Sequence, residues 1–114
     1  MLTSGDVIDL QLGWPEGREA GFLHPAVVVT AQRILDVSPS VIQVVPFTKT
    51  IRGFGAEVII ESDADNGLDK TSSAQCQHVR SVSVTRVKST RGNVGPIHLA
   101  QIRETIALIL DLPV

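Results

Sequence analysis

The chain has no tyrosine, one tryptophan and three phenylalanines in 114 residues. So few aromatics exclude a base-stacking platform of the RRM or OB type. A core must then be filled by Val, Ile and Leu, which favours sheet over helix. The lone cysteine, Cys76, excludes an internal disulfide and fits a reducing cytoplasm. No apolar run approaches the roughly 18 residues that a membrane helix needs. The start, MLTSGDVIDL, lacks the cationic segment and apolar stretch of a secretory signal. A cytoplasmic protein without a membrane segment is expected. Charge of one sign is also scarce: the net charge of −2 excludes a globally basic nucleic-acid binder but leaves room for a local basic face. The three His and one Cys lack paired zinc spacing. Residues 63–67, DADNG, imitate a calcium loop with its later ligands out of register. There is no glycine-rich phosphate loop and no nucleophile elbow. No metal and no cofactor are expected.

What is present is an ordinary domain. Apolar residues at 43% and charged residues at 19% are incompatible with a disordered chain. The length suits one core, so residues 1–114 are read as a single domain. Residues 7–12 alternate apolar and polar, as a half-buried first strand does. Residues 13–21 hold three glycines and a proline and read as a loop. A second strand over 25–30 is continuously apolar or β-branched, hence buried on both faces, with Pro25 at its first residue. A helical turn fits 31–37, a third strand 41–47, a loop 49–55 and a fourth strand 56–60. An acidic turn follows over 62–70, then one or two strands over 73–84. Gly95-Pro96 starts a helix whose Leu99, Ile102, Ile106 and Ile109 recur at helical spacing to about Asp111. The expected fold is mainly β (α+β): a small, strongly curved antiparallel sheet or barrel with a C-terminal helix packed across it.

Three polar features converge in that outline. One is the loop GREAG, residues 17–21, with His24 at its exit in "GFLHPAVVV"; another is Thr48 at the end of "VVPFT"; the third is "QCQHVRS", with His78 and Arg80. If strands two and three are antiparallel neighbours, His24 and Thr48 meet at one edge beside the loop. Each feature also has a plainer role. His24 would be a satisfied terminal histidine, Arg18 and Glu19 a solvated pair, and Thr48 an ordinary β-branched strand end. Arg80, Arg86, Lys88 and Arg91 form a basic run that either binds phosphates or is a solvated face offsetting the acidic 57–69 segment. The residues alone lead to a small β-rich domain with a polar edge.

With these residues in hand, the whole chain resembles the MazF/PemK-type toxins, endoribonucleases of toxin–antitoxin pairs. The resemblance lies in "GDVIDLQL", in "GREAGFLHPAVVVT", in the Val-Pro-x-Thr end of "VVPFTKT", in "GLDKTSSAQCQHVRSV" and in the closing helix with "ILDL", in that order and spacing. It implies an SH3-like barrel of the CcdB/MazF/PemK kind, assembled as a homodimer whose interface helps form an RNA groove. It also implies metal-independent cleavage of single-stranded RNA, in which the 2′-OH attacks the adjacent phosphate to give a 2′,3′-cyclic phosphate and a 5′-OH. A cognate antitoxin would lay an acidic or apolar disordered tail over the groove and fold on binding.

Thr48 matches the family's active-site threonine and Glu19 its loop glutamate. His24 stands where the family has an arginine before proline, exchanging a permanent bidentate cation for a group that titrates near neutrality. Arg18, at a position that is serine or histidine in relatives, is placed to supply the missing guanidinium, and Gln77 stands where members often carry an acidic residue. The implied recognition surface comprises the 13–23 and 49–55 loops. Lys49 and Arg52 would contact phosphates there, and Phe54 would stack on a base or serve as a core or dimer residue. Gln77, His78 and Arg80 complete the expected RNA-binding set. Two alternatives remain: a catalytically weakened binding protein, and a CcdB-like poison of DNA gyrase. The retained Gly-x-Glu loop and Val-Pro-x-Thr strand end favour the nuclease.

Overall fold

The computed structural model of the chain describes residues 1–12, 23–53 and 55–113. Seven strands and two α-helices follow in chain order: β1 (Asp6–Leu10), β2 (His24–Val28), α1 (Gln32–Leu35), β3 (Val41–Thr48), β4 (Glu57–Ile60), β5 (Ser72–Gln75), β6 (Arg80–Ser83), β7 (Val87–Asn93) and α2 (Gly95–Ile109). Every pairing is antiparallel, in the order β4-β5-β3-β2-β1-β7, with β6 also on β3.

The long strand β3 creates the curvature. Its Val41–Val44 stretch pairs with β6, its Val44–Pro46 stretch with β2, and its last residues Phe47 and Thr48 with Ala74 and Ser73 of β5. A strand that changes partners along its length turns the corner between two sheets.

The apolar residues divide by parity, as the alternation of side chains along a strand requires. Val7, Val27, Val45, Phe47, Ile60 and Cys76 pack with Leu99 and Ile102 of α2 on one face. Ile8, Leu10, Ala26, Val28, Ile42, Val44 and Val82 pack with Leu35 of α1 on the other. That is why "AVVV" has no polar interruption: β2 is central and covered on both sides. Helix α2 starts with Pro96 in its first turn and buries Leu99 and Ile102, whereas Ile109 is 43% exposed and lies outside the core.

The strand limits fall near those expected, with the first and last strands differing and the one-or-two-strand alternative over 73–84 resolved as two. The first strand stops at Leu10, and Leu12 is exposed. The 73–84 stretch is two strands separated by a 3₁₀ turn, Cys76–His78. Strand β7 was not anticipated. Its residues, VKSTRGN, carry almost no apolar signal because it is an outer strand defined by its ladder to β1, with bulges between Val7 and Ile8 and between Asp9 and Leu10.

The DADNG segment is a turn that bonds to itself. Asp63 Oδ1 accepts from the N–H groups of Asp65 (2.8 Å) and Asn66 (2.7 Å). The buried Asn66 side chain accepts from the Leu68 N–H (3.0 Å) and donates to the Glu61 carbonyl (2.9 Å). The turn docks on β7 through the Asn93 N–H, which donates to the Asp65 carbonyl at 2.8 Å. Leu68 and Asp69 are thereby presented at the same end of the sheet as the start of β2.

Candidate functional site

Ala26 of β2 lies opposite Pro46 of β3, and His24 and Thr48 stand two residues beyond that pair, each on its own strand. Both side chains line one groove of about 380 Å³, together with Lys49, Thr50, Asp69 and Arg91 over an apolar floor of Leu23, Pro25, Phe47 and Leu68. The expected meeting of the start of one strand with the end of its antiparallel neighbour is what the register produces.

Each wall has a local cause. Thr48 ends β3, and its Oγ1 accepts from the Thr50 N–H at 3.1 Å, turning the chain into the 49–53 segment. Opposite Thr48, Ser73 donates its Oγ to Glu57 Oε2 at 2.5 Å, and the Glu57 carboxylate also accepts from the Arg52 N–H at 3.2 and 3.3 Å. The 49–53 segment is thus tied back to β4.

The charged wall comes from β1 and β7. Asp9, only 7% exposed, receives Arg91 Nε at 3.0 Å and Arg91 Nη2 at 2.9 Å on Oδ1, and Ser89 Oγ at 2.8 Å on Oδ2. Burial alone would raise the Asp9 carboxyl, but the bonds from Arg91 and Ser89 and the charge of Arg91 outweigh it and hold the carboxyl below its usual range. The partnership with Asp9 in turn raises Arg91, whose positive charge is permanent. Asp69 Oδ2 stands 3.7 Å from Arg91 Nη1 and 3.9 Å from Lys49 Nζ.

His24 is half-buried. Burial pushes its imidazole below the ordinary histidine value and the positive charge of Arg80 adds to this, so the neutral ring predominates at pH 7. A neutral imidazole can accept a proton. The groove therefore combines a potential base, a hydroxyl and two cations.

Of the expected site residues, His24, Thr48 and Lys49 come together in this groove. Arg18, Glu19 and Phe54 lie outside the described residues. Arg52 is exposed beyond the groove lining, while its backbone binds Glu57. Gln77 and His78 are exposed on the 3₁₀ turn and Arg80 is exposed on β6 opposite Val44; none of the three lines the groove. The basic run does not act as one cluster either. Arg91 is committed to Asp9, and Arg86 donates Nη1 to the Gln11 carbonyl at 3.0 Å. Sequence reasoning missed Asp9 and Asp69 as site neighbours. The signal for Asp9 lay in the β1–β7 pairing, which the polar β7 concealed.

A bent antiparallel sheet with a polar groove at its edge and a C-terminal helix packed on one face is the architecture of a class of toxins. The sequence profile of the PemK-like, MazF-like toxins of type II toxin–antitoxin systems matches residues 3–110, and the chain belongs to this family. It is homologous to Endoribonuclease MazF9 of Mycobacterium tuberculosis (strain ATCC 25618 / H37Rv), with 32% identity over 116 residues and 98% of each chain covered. Among solved structures it matches the Mycobacterium tuberculosis toxin MazF-mt6 (TM-score 0.75, 23% identity, 96% of this chain and 99% of that one). It also matches MazE-MazF from Deinococcus radiodurans (TM-score 0.77, 19% identity, 98% and 97%). The fold, a mainly antiparallel β-sheet with a C-terminal helix, is MazF-like. Among the described residues no helix is long and apolar enough to cross a membrane.

Proposed function

We propose that the protein is the toxin of a type II pair and cleaves single-stranded RNA without a metal, using the groove between the ends of β2 and β3. The observation that carries this is the placement of a neutral His24 in one groove with Thr48 and the cations of Lys49 and Arg91. Such cleavage needs a base for the 2′-OH, an acid for the leaving 5′-oxygen and donors for charge developing on phosphorus. His24 takes the 2′-OH proton as that oxygen attacks the adjacent phosphate. Thr48 Oγ1 donates to a non-bridging oxygen and Lys49 balances its charge. Arg18 is proposed as a second cation, and Glu19 as the acid that protonates the 5′-oxygen as its bond to phosphorus breaks. The products are a 2′,3′-cyclic phosphate and a 5′-OH, and the cellular effect is inhibition of translation and growth in the cytoplasm.

The active unit is a single-domain protomer within a homodimer, and an antitoxin tail occupies the groove in the inhibited state. A mycobacterial endoribonuclease and the Deinococcus radiodurans toxin, both of the same fold, have been crystallised with their antitoxins, which supports such a partner here.

The test is cleavage of a mixed RNA in EDTA with the ends mapped. Cyclic phosphate ends should appear, and Thr48→Ala and His24→Ala should each lower the rate at least tenfold, about 1.4 kcal/mol. A base is active unprotonated, so the rate should rise with pH through the lowered His24 value and level off by about pH 7. A rate flat from about pH 5.5 to 8 removes His24 from the chemistry. The exchange of the family arginine for His24 also favours a second reading, a weakened nuclease that acts by binding; RNA bound but uncut by the pure protein would establish it.

A further inference from the structure

Two cations in the groove converge on one carboxylate oxygen that hydrogen-bonds neither of them. Asp69 Oδ2 lies 3.7 Å from Arg91 Nη1 and 3.9 Å from Lys49 Nζ, and the Asp69 side chain is 66% exposed. Arg91 differs from Lys49 in being fixed. Its Nε and Nη2 both bond Asp9 Oδ1, and Asp9 is held in turn by Ser89 from the same strand as Arg91. A guanidinium held along its Nε edge still presents its Nη1/Nη2 end, the two-donor face that suits a phosphate. Thr48 and Arg91 line a single concave space.

We propose that Arg91 is a phosphate-binding residue of this groove, positioned by Asp9 and Ser89, and that Asp69 screens Arg91 and Lys49 until an RNA phosphate displaces it. The proposal rests on the RNA-cleaving reading and adds to it the permanent guanidinium that position 24 no longer supplies. Displacement is inexpensive because exposed ion pairs at such distances contribute little. The Asp9–Arg91 pair is different: the buried Asp9 carboxylate is held by Arg91 Nε and Nη2 and by Ser89, so the guanidinium stays in place when RNA arrives. Asp69 thus disfavours weak anions at the groove, and a phosphodiester, which engages the fork and the Thr48 hydroxyl together, replaces it.

The experiment measures, for the full chain, cleavage of a single-stranded RNA and binding of its 2′-O-methyl analogue across a salt series. Arg91→Gln should weaken analogue binding at least tenfold and flatten the slope of log affinity against log salt by about 0.7, one phosphate contact on a single strand. Arg91→Lys should recover the slope but only part of the affinity, since it keeps the charge and loses the fork. Asp69→Asn should bind two- to fivefold tighter at low salt, the gain fading as screening shortens with added salt. Should Arg91→Gln fail to fold, with Asp9 left as an unpaired charge, Asp69→Asn decides alone, because its side chain is exposed. Unchanged affinity in Asp69→Asn, or unchanged affinity and slope in Arg91→Gln, overturns the proposal while the nuclease stands. A wild-type protein that neither binds nor cuts single-stranded RNA overturns both.

Discussion

The turn that presents Leu68 and Asp69 docks on β7 at a glycine, and alanine at position 92 should break that contact. An ideal Cβ on Gly92 would lie 2.1 Å from the Asp65 carbonyl oxygen and 2.9 to 3.0 Å from the Asn66 backbone. An ordinary carbon–oxygen contact is about 3.3 Å or more, so the 61–67 turn must retreat by more than about 1 Å. It has little freedom to do so. Asn66 is 1% exposed and its side chain bonds Glu61, Asp63 and Leu68, while the Asn93 N–H binds the very oxygen that the methyl would strike. Overpacking of this kind costs about 1–3 kcal/mol, and loss of the Asn93–Asp65 bond adds about 1 kcal/mol. Gly92→Ala should therefore lose about 2–4 kcal/mol. In urea, at a slope near 1.5 kcal/mol per M, the midpoint should fall by about 1.5–2.5 M. Both proteins are compared at one concentration, because self-association would shift the midpoint. Gly67→Ala attacks the same contact from the other side. Its φ of +67° strains any L side chain, and its Cβ would meet the Arg91 carbonyl oxygen at 2.5 Å. The double variant should lose less than the sum, since one retreat of the turn relieves both clashes. A Gly92→Ala midpoint within about 0.3 M of wild type, with unchanged slope, would refute the reasoning.

Asp9→Asn should destabilise the protein by about 1–3 kcal/mol at pH 7, because a charge-assisted bond becomes a neutral one. The Asp9 carboxyl titrates lower when folded, so its contribution is present above its unfolded value and is lost as pH falls through the folded one. The urea-midpoint gap between wild type and Asp9→Asn should accordingly narrow as pH falls below the ordinary aspartate value of about 4; a gap that does not narrow on acidification would assign the effect to packing. Cys76 is fully buried beneath α2, and burial pushes its thiol up to about 11 from an ordinary 9. At pH 8 the native thiolate population is about a hundredfold below that of the unfolded chain, so a thiol reagent should label native protein at least that much more slowly. Labelling at the unfolded rate would mean that α2 opens readily.

The sequence was informative wherever one element's pattern carried its own answer. "AVVV" gave a doubly covered strand, and the helical recurrence of Leu99, Ile102 and Ile106 gave α2 and its buried stripe. The meeting of His24 and Thr48 followed from strand adjacency alone, because antiparallel pairing sends the start of one strand to the end of the next. Long-range pairing of polar strands was not legible. β7 contributes charge and hydroxyls, and its partnership with β1, 80 residues earlier in the chain, has no periodic signature. Without it Asp9 read as the polar side of an alternating strand, although it is buried and bonded to Ser89 and Arg91. Arg91 itself appeared only as one member of a basic run, which is spread over β6 (Arg80), a 3₁₀ turn (Arg86) and β7 (Lys88 and Arg91).

On the proposed reading, the charge balance of the groove bears on how it treats RNA. Lys49 and Arg91 face Asp9 and Asp69, two cations against two carboxylates, and His24 is predominantly neutral at pH 7. The chain as a whole carries a net charge of −2. A surface of this kind cannot collect a polyanion by its field, as basic nucleic-acid binders do. Its selectivity must come from placed donors: a guanidinium fixed by a buried carboxylate and a hydroxyl at a strand end. Because the guanidinium is immobilised before RNA arrives, little side-chain order is lost on binding. In place of long-range attraction, then, the groove depends on preorganisation, and preorganisation rests on the β1–β7 ladder that holds Asp9, Ser89 and Arg91 in one register. On the same reading, a fixed cation on β7 leaves position 24 free to carry a group that gains and loses a proton.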